Sequence, residues 1–328
     1  MSPARFDILG IGNAIVDVVA SADDGFVATH GMTKGAMQLI SAEQAGALYA
    51  AMPPGQETSG GSAANTCAVA AGLGARVAFL GKVADDDLGR AFRHDITETG
   101  VHYPTEPLRG AAPTARCLIL VTPDAQRTMN TYLGACVGFD VTDLDEAAIR
   151  DSAIIYLEGY LFDPPQAQDA FQRAAAIAHE AGRLVALSLS DAFCVGRHRA
   201  AFLALIQDHV DILFANEAEI CSLYEEQEFE AAALRARDDV ELAALTRGAA
   251  GSTILRGAER VDIAAAPATL VDTTGAGDAY AAGFLAAYVE GRNLEAAGRL
   301  GSAAAAAAIG QFGARPKTDL RALARTGG

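Results

Sequence analysis

The sequence predicts an α/β protein in three layers, with a mostly parallel central sheet covered by helices on both faces. Two observations carry the prediction. Short runs that are apolar throughout alternate with longer alanine-rich segments of helical character, and strands buried on both faces read as continuous apolar runs rather than alternating ones. The 328 residues are 51% hydrophobic and 20% charged, enough for one large core and incompatible with wholesale disorder.

Taken in order, strands are expected at residues 6–10, 75–81, 154–157, 184–189, 212–215, 242–246 and 252–255. Helices are expected at 63–73, 166–181, 200–207, 217–225, 276–290 and 294–309. Strand followed by helix, repeated, argues for a parallel sheet. Residues 14–40 and 113–134 break this rhythm: they are strand-like, more polar in alternation, and have no long helix between their strands. They predict either a small accessory sheet assembled from two distant segments or ordinary edge hairpins. Such a sheet lying beyond the carboxyl ends of the main strands would act as a lid over a ligand. No linker or repeat divides the chain, so one domain over 1–328 is expected.

Charge narrows the function. With 25 Lys+Arg against 41 Asp+Glu the net charge is −16, which repels nucleic acid and anionic bilayers. A small phosphate-bearing ligand stays open, because a few amides and one or two cations bind it locally. Five scattered cysteines without a CxxC pair read as buried thiols of a reducing, cytoplasmic compartment. No segment has the pattern of a signal peptide or a membrane span.

The stretch Asp272-Thr273-Thr274-Gly275-Ala276-Gly277-Asp278-Ala279-Tyr280 is the most informative. Glycines here precede an apolar helical run, so Gly275, Ala276 and Gly277 would present free N–H groups at a positive helix end, an anion site. Asp278 in the first turn reads equally as a dipole partner and as a base that deprotonates an attacking hydroxyl. A GxxxxGK[ST] loop is absent, and Gly10-Ile11-Gly12-Asn13 lacks the third glycine of a dinucleotide fingerprint. The histidines show no metal-ligand spacing.

These residues resemble a known family. Asp272 to Tyr280 is similar to the C-terminal signature of the ribokinase-like (PfkB) carbohydrate and nucleoside kinases, and Ser59-Gly60-Gly61-Ser62-Ala63-Ala64-Asn65 to their N-terminal Gly-Gly motif. Gly10 through Asp17, Gly81-Lys82-Val83 to Gly89, Asn216-Glu217-Ala218-Glu219 and Thr246-Arg247-Gly248 to Gly251 follow in the family's order. Asn13 with Asp17, the segment Asp124-Ala125-Gln126-Arg127-Thr128-Met129, and Gly313-Ala314-Arg315-Pro316 resemble its adenosine kinase branch.

The resemblance implies a ribokinase-like core with a β-sheet lid and transfer of the ATP γ-phosphate to an alcohol, the 5′-hydroxyl of adenosine or a sugar hydroxyl. It implies roles as well. Asp278 would be the base, Gly275, Ala276 and Gly277 the anion hole, and Arg127 a lid arginine over the phosphates. Asn13, Asp17, Gly60, Gly61, Ser62 and Asn65 would hold the acceptor sugar. Met37, Gln38, Met129 and Leu133 would line a base pocket. Thr246, Gly248 and Gly251 would face the nucleotide, with Arg247 toward its phosphates. Asn216 and Glu219 would support Mg²⁺ through water, and Asp272 would lie beside a monovalent cation such as K⁺. Each has a plainer reading: Asp17 as a turn residue, Asn216 and Glu219 as a helix capping box, the methionines as core, Arg127 as a solvated charge. A non-catalytic nucleoside sensor on the same fold and a dinucleotide-dependent oxidoreductase are the rivals of other classes. Expected partners are ATP and a small nucleoside or sugar, with no nucleic acid and no membrane, in a monomer or homodimer.

Overall fold

The computed structural model describes residues 4–110, 112–124 and 126–326; Ala125, within the expected lid segment, and the ends of the expected 1–328 domain lie outside the described residues. Two sheets organise the chain. The larger has eight strands, β1 (Phe6–Ile11), β5 (Val77–Leu80), β8 (Ser152–Glu158), β9 (Leu184–Ser188), β10 (Ile212–Asn216), β11 (Leu242–Thr246), β12 (Ser252–Arg256) and β13 (Glu259–Ile263), in the order β13-β12-β11-β10-β9-β8-β1-β5. All pairings are parallel except those of β12 with its two neighbours.

The parallel strands are apolar because both faces are covered. Ile8, Phe79 and Ile154 point into one core, while their chain neighbours Leu9, Leu80 and Ile155 point into the other. At roughly 1.5–3 kcal/mol per buried aliphatic or aromatic side chain, these two cores dominate the stability of the fold. The helices Ser62–Leu73, Ala276–Val289 and Leu294–Ile309 cover the first face, and Pro165–Glu180 and Ala192–His209 the second.

The smaller sheet has the order β3-β7-β6-β2-β4, from β2 (Ile15–Ser21), β3 (Met37–Leu39), β4 (Gln56–Gly60), β6 (Ala115–Val121) and β7 (Arg127–Tyr132). The accessory sheet is therefore real, and it takes in more chain than the two expected segments. β4 pairs with β2 through Ile15↔Gly60 and Asp17↔Thr58. Its sequence Gln-Glu-Thr-Ser-Gly carries no apolar alternation, so periodicity could not reveal it.

Other differences have similar causes. β13 is an edge strand with one buried residue, and its sequence Glu-Arg-Val-Asp-Ile reads as polar. The helix Asp87–Glu98 buries only Gly89, Phe92 and Ile96 and is started by Asp86, whose side chain accepts from Gly89 N. The helix expected at 200–207 begins at Ala192, capped by Asp191, and continues across a kink at His198.

Candidate active site

The sheet's topology selects the place. From β1 the chain proceeds to β5 on one side and later from β8 through β9, β10 and β11 on the other, so strand order reverses between β1 and β8. A crevice opens at such a switch point, beyond the carboxyl ends of the strands. Asn13 follows β1 there, and Glu158 ends β8. Glu158 accepts from the Asn13 amide at 3.2 Å, from Asn13 Nδ2 at 2.8 Å and from Ala63 N at 2.7 Å. One carboxylate thus ties the end of β1 to the start of the Ser62–Leu73 helix.

That helix begins at Gly61, whose φ of +101° favours glycine and whose missing side chain leaves room for the Asn13 carbonyl. Asp17, on β2, places its carboxylate against Gly60. Among the described residues no donor hydrogen-bonds to that carboxylate. Burial pushes it up to about 6, against the pull of Arg315 and Arg127.

The Ala276–Val289 helix packs beside the Ser62–Leu73 helix, and both N-termini meet at one carboxylate. Ser62 Oγ donates to Asp278 Oδ1 at 2.6 Å, each residue lying in the first turn of its helix. Gly275 caps the second helix at φ +75°, with Ala314 packed where a side chain would be. Two positive helix ends favour an anion here. Burial nevertheless pushes Asp278 up to about 6, offset by Ser62, Asn65 and Arg315 and reinforced by the charge of Asp17. The Ala276 amide donates to Thr273 O at 3.2 Å. The expected triad of free amides is therefore incomplete in this conformation, and the Gly275 and Gly277 amides are the ones without a protein acceptor among the described residues.

Arg127 opens β7 in the lid. Its Nη1 donates to Asp272 Oδ2 at 2.5 Å and to Thr274 Oγ1 at 2.7 Å, latching the lid to the residue before Gly275. Asp272 also accepts from Gly313 N at 2.9 Å, from Thr274 N at 3.1 Å and from Thr274 Oγ1 at 2.7 Å. Burial raises its pKa, but these donors and Arg127 together lower it. The carboxylate expected beside a monovalent cation accepts from an arginine, two amides and a hydroxyl in this conformation.

Asn216 and Glu219 form the capping box. Asn216 Oδ1 accepts from Glu219 N at 2.9 Å, while Glu219 accepts from Asn216 N at 2.9 Å and from Asn216 Nδ2 at 2.6 Å. The plainer reading describes their contacts, without removing the ionisable carboxyl of Glu219. Burial pushes Glu219 up to about 7, lowered by the Asn216 amide and raised further by Asp191 and Asp278. A buried carboxyl facing two further acids suits a divalent cation held by few protein oxygens and several waters. No group of three or more His, Cys, Asp or Glu side chains forms a dedicated metal cage among the described residues.

Thr246 lies beside Asn216 in register at the ends of β11 and β10, and Gly248 and Gly251 shape the turn that follows. Arg247 points elsewhere than expected: its guanidinium lies 4.2 Å over the Phe229 ring and faces Glu217. Met37 and Met129 are opposite each other on β3 and β7, with Met37 half exposed and Gln38 donating to Asn130 at 2.7 Å. Met37 and Gln38 lie on the edge strand of the smaller sheet, and Met129 on the strand beside it. A concavity of about 710 Å³ lined by Ser21, Phe26, Pro53 and Val121 contains none of the expected site residues.

Sequence reasoning missed Glu158, whose signal was an acid ending a buried strand at its carboxyl end. It also missed Arg315, quoted within a motif but given no task, and Asp95, its partner.

An arginine of the smaller sheet fastened to a glycine-rich helix start, above a doubly wound sheet, is an arrangement that suits a small-molecule kinase. The chain belongs to the pfkB family of carbohydrate kinases, whose model matches residues 31–320. It is 52% identical to the adenosine kinase from Sinorhizobium meliloti, over 98% of this chain and 99% of that one, with a TM-score of 0.90. To a probable sugar kinase from Rhizobium etli it is 48% identical, over 98% of each chain, with a TM-score of 0.91. The ATP-dependent ribose-1-phosphate kinase of Halopiger xanaduensis is 30% identical over 270 residues, 82% of this chain and 86% of the relative. The protein is a kinase of sugars or nucleosides, and its family implies ATP as donor. No helix of the described residues is long and apolar enough to cross a membrane.

Proposed function

We propose that this kinase transfers the γ-phosphoryl group of ATP to the 5′-hydroxyl of adenosine, giving AMP and ADP. The observation that carries the reading is the pair of buried carboxylates at one end of the sheet. Asp278 is held between two helix N-termini, and Asp17 has no hydrogen-bond donor among the described residues. A carboxylate with free lone pairs against a glycine backbone suits two adjacent ribose hydroxyls. The 52% identity to an adenosine kinase over nearly the whole chain supports adenosine as the acceptor.

In this reading Asp17, Asn13, Gly61 and Asn65 hold the ribose. Asp278 accepts the 5′-hydroxyl proton while that oxygen bonds to the γ-phosphorus and the bond to the ADP oxygen breaks. With a pKa of about 6 it is largely ionised near neutral pH, close enough to the operating pH to act as a base. The amides of Gly275 and Gly277 donate to the transferred group, joined by that of Ala276 if it gives up its turn bond to Thr273. Arg127 turns from Asp272 toward the same group, and lid closure excludes water. Mg²⁺ bound with the nucleotide would neutralise phosphate charge, with Glu219 and Asn216 as its supporting residues through water.

Kinase action on a free sugar is the second reading, favoured by the 48% identical probable sugar kinase. A coupled ADP assay with adenosine, inosine, guanosine, ribose and fructose separates the two. Phosphorylation of ribose or fructose in preference to adenosine would overturn the nucleoside reading. By titration calorimetry, Asp17→Ala should weaken binding of the acceptor; unchanged affinity would remove Asp17 from that role.

A further inference from the structure

Arg315 reaches the acceptor site from the loop after the Leu294–Ile309 helix. Its Nε donates to Asn65 Oδ1 at 2.9 Å and its Nη1 to Asp95 Oδ2 at 3.2 Å. The same Asp95 oxygen accepts from Ser59 N at 2.8 Å and from the Ser59 hydroxyl. Ser59 precedes Gly60 and Gly61, so one guanidinium is joined to both the Gly-Gly strand and Asn65. Its Nη2 is buried without a partner, which leaves part of its charge uncompensated by hydrogen bonds.

The chemistry of the carboxamide makes this contact directional. Asn65 can offer either an oxygen or an NH₂ group to a neighbour, whereas a guanidinium only donates. With Oδ1 committed to Arg315, the end left for Asp278 is the donor, and Asn65 acts on Asp278 as a donor does. A flipped amide would set an acceptor oxygen against a carboxylate.

We propose that Arg315 is a positioning residue for the phosphoryl acceptor, presenting the donor end of Asn65 and, through Asp95, steadying the strand that carries Gly60 and Gly61. The inference rests on Asp278 being the proton acceptor, and is independent of which alcohol is phosphorylated. Its charge has a second consequence. Asp95 from the Asp87–Glu98 helix, Asp17 from β2 and Cys67 from the Ser62–Leu73 helix face Arg315. Around Asp278 stand Asp17, Glu158 and Tyr156 of β8, Tyr160 and Glu219, with Arg315 the cation that acts on it. Removing that charge raises the pKa of both Asp17 and Asp278, so the acid limb of kcat/KM moves to higher pH; the pair titrates as a unit.

The test compares the full-length protein with Arg315→Gln and Arg315→Lys, using the alcohol that the wild type phosphorylates best. If that alcohol is a sugar, the adenosine reading fails while this comparison proceeds. Arg315→Gln should lower kcat/KM for the acceptor about 10²-fold, as expected of a misplaced substrate, leave KM for ATP unchanged, and shift the acid limb upward. Arg315→Lys keeps the charge but cannot donate to Asn65 and Asp95 in the same geometry; it should retain the wild-type acid limb while losing acceptor kcat/KM. A loop staple alone would lower the melting temperature with an unmoved limb, and that result, or a loss confined to ATP, overturns the proposal. Should Arg315→Gln fail to fold, undiminished acceptor kcat/KM in Arg315→Lys overturns it equally, and a loss confined to the acceptor supports it.

Discussion

The Ser62 hydroxyl donates to Asp278 across 2.6 Å of space and 216 residues of chain. Each residue occupies the first turn of a helix, so the contact brings two positive helix ends to one carboxylate. A place that favours an anion follows from that meeting.

Replacing that carboxylate by an amide keeps its shape and removes its basicity. Asp278→Asn should lower kcat at least about 10²-fold with little change in acceptor KM, measured by steady-state kinetics. Near-normal turnover would remove Asp278 from the chemistry.

Stability and activity should respond to pH in opposite directions. Burial pushes Asp17 and Asp278 up to about 6 and Glu158 and Glu219 up to about 7, above their values in an unfolded chain. In this range the folded state binds more protons than the unfolded one. The stability from these four groups is therefore full on the acid side and is lost as pH rises through about 6–7. Asp124 and Asp272, whose pKa values are lowered, act oppositely, and their stabilisation is lost only on stronger acidification. The melting temperature should fall between about pH 5 and pH 8 while kcat/KM rises over the same interval. Calorimetry showing a higher melting temperature at the alkaline end would contradict the assignment.

The contact between Arg127 and Asp272 joins lid to core with both side chains almost fully buried. If the arginine leaves this partner to meet the transferred group, Arg127→Ala should reduce kcat on the order of 10²-fold, as for loss of a transition-state donor. Rapid-quench measurement of the chemical step is the check; an unchanged step would confine Arg127 to holding the lid.

Asp272 has its oxygens engaged by four donors. Three of these donors do not depend on Arg127, so replacing K⁺ by Na⁺ or choline at constant ionic strength should leave kcat unchanged, whereas chelation of divalent cations should abolish turnover. Activation specific to K⁺ would show that the loop around Gly313 rearranges when nucleotide binds.

Much of the core was legible because burial on both faces leaves an unbroken apolar run, as in β1, β8 and β10. β4 and β13 escaped because edge strands keep polar side chains, and the pairing that makes them strands lies in a partner segment. The site divides similarly. Asp278 and Gly275 could be read from nine contiguous residues, since a glycine turn entering an apolar helix is a local pattern. Glu158, Asp95 and Arg315 could not, because their meaning lies in Asn13, Ser59 and Asn65, which reach them only after folding.

What the chain determines by itself is the alternation of strand and helix and the helix start at Gly275, both products of local backbone preference and apolar periodicity. Only the tertiary structure decided that Glu158 ties Asn13 to Ala63, that Asp272 is claimed by Arg127, and that Arg315 faces Asn65. Those outcomes depend on distances between residues far apart in sequence, and hydrogen-bond geometry is resolved only once the sheets have packed.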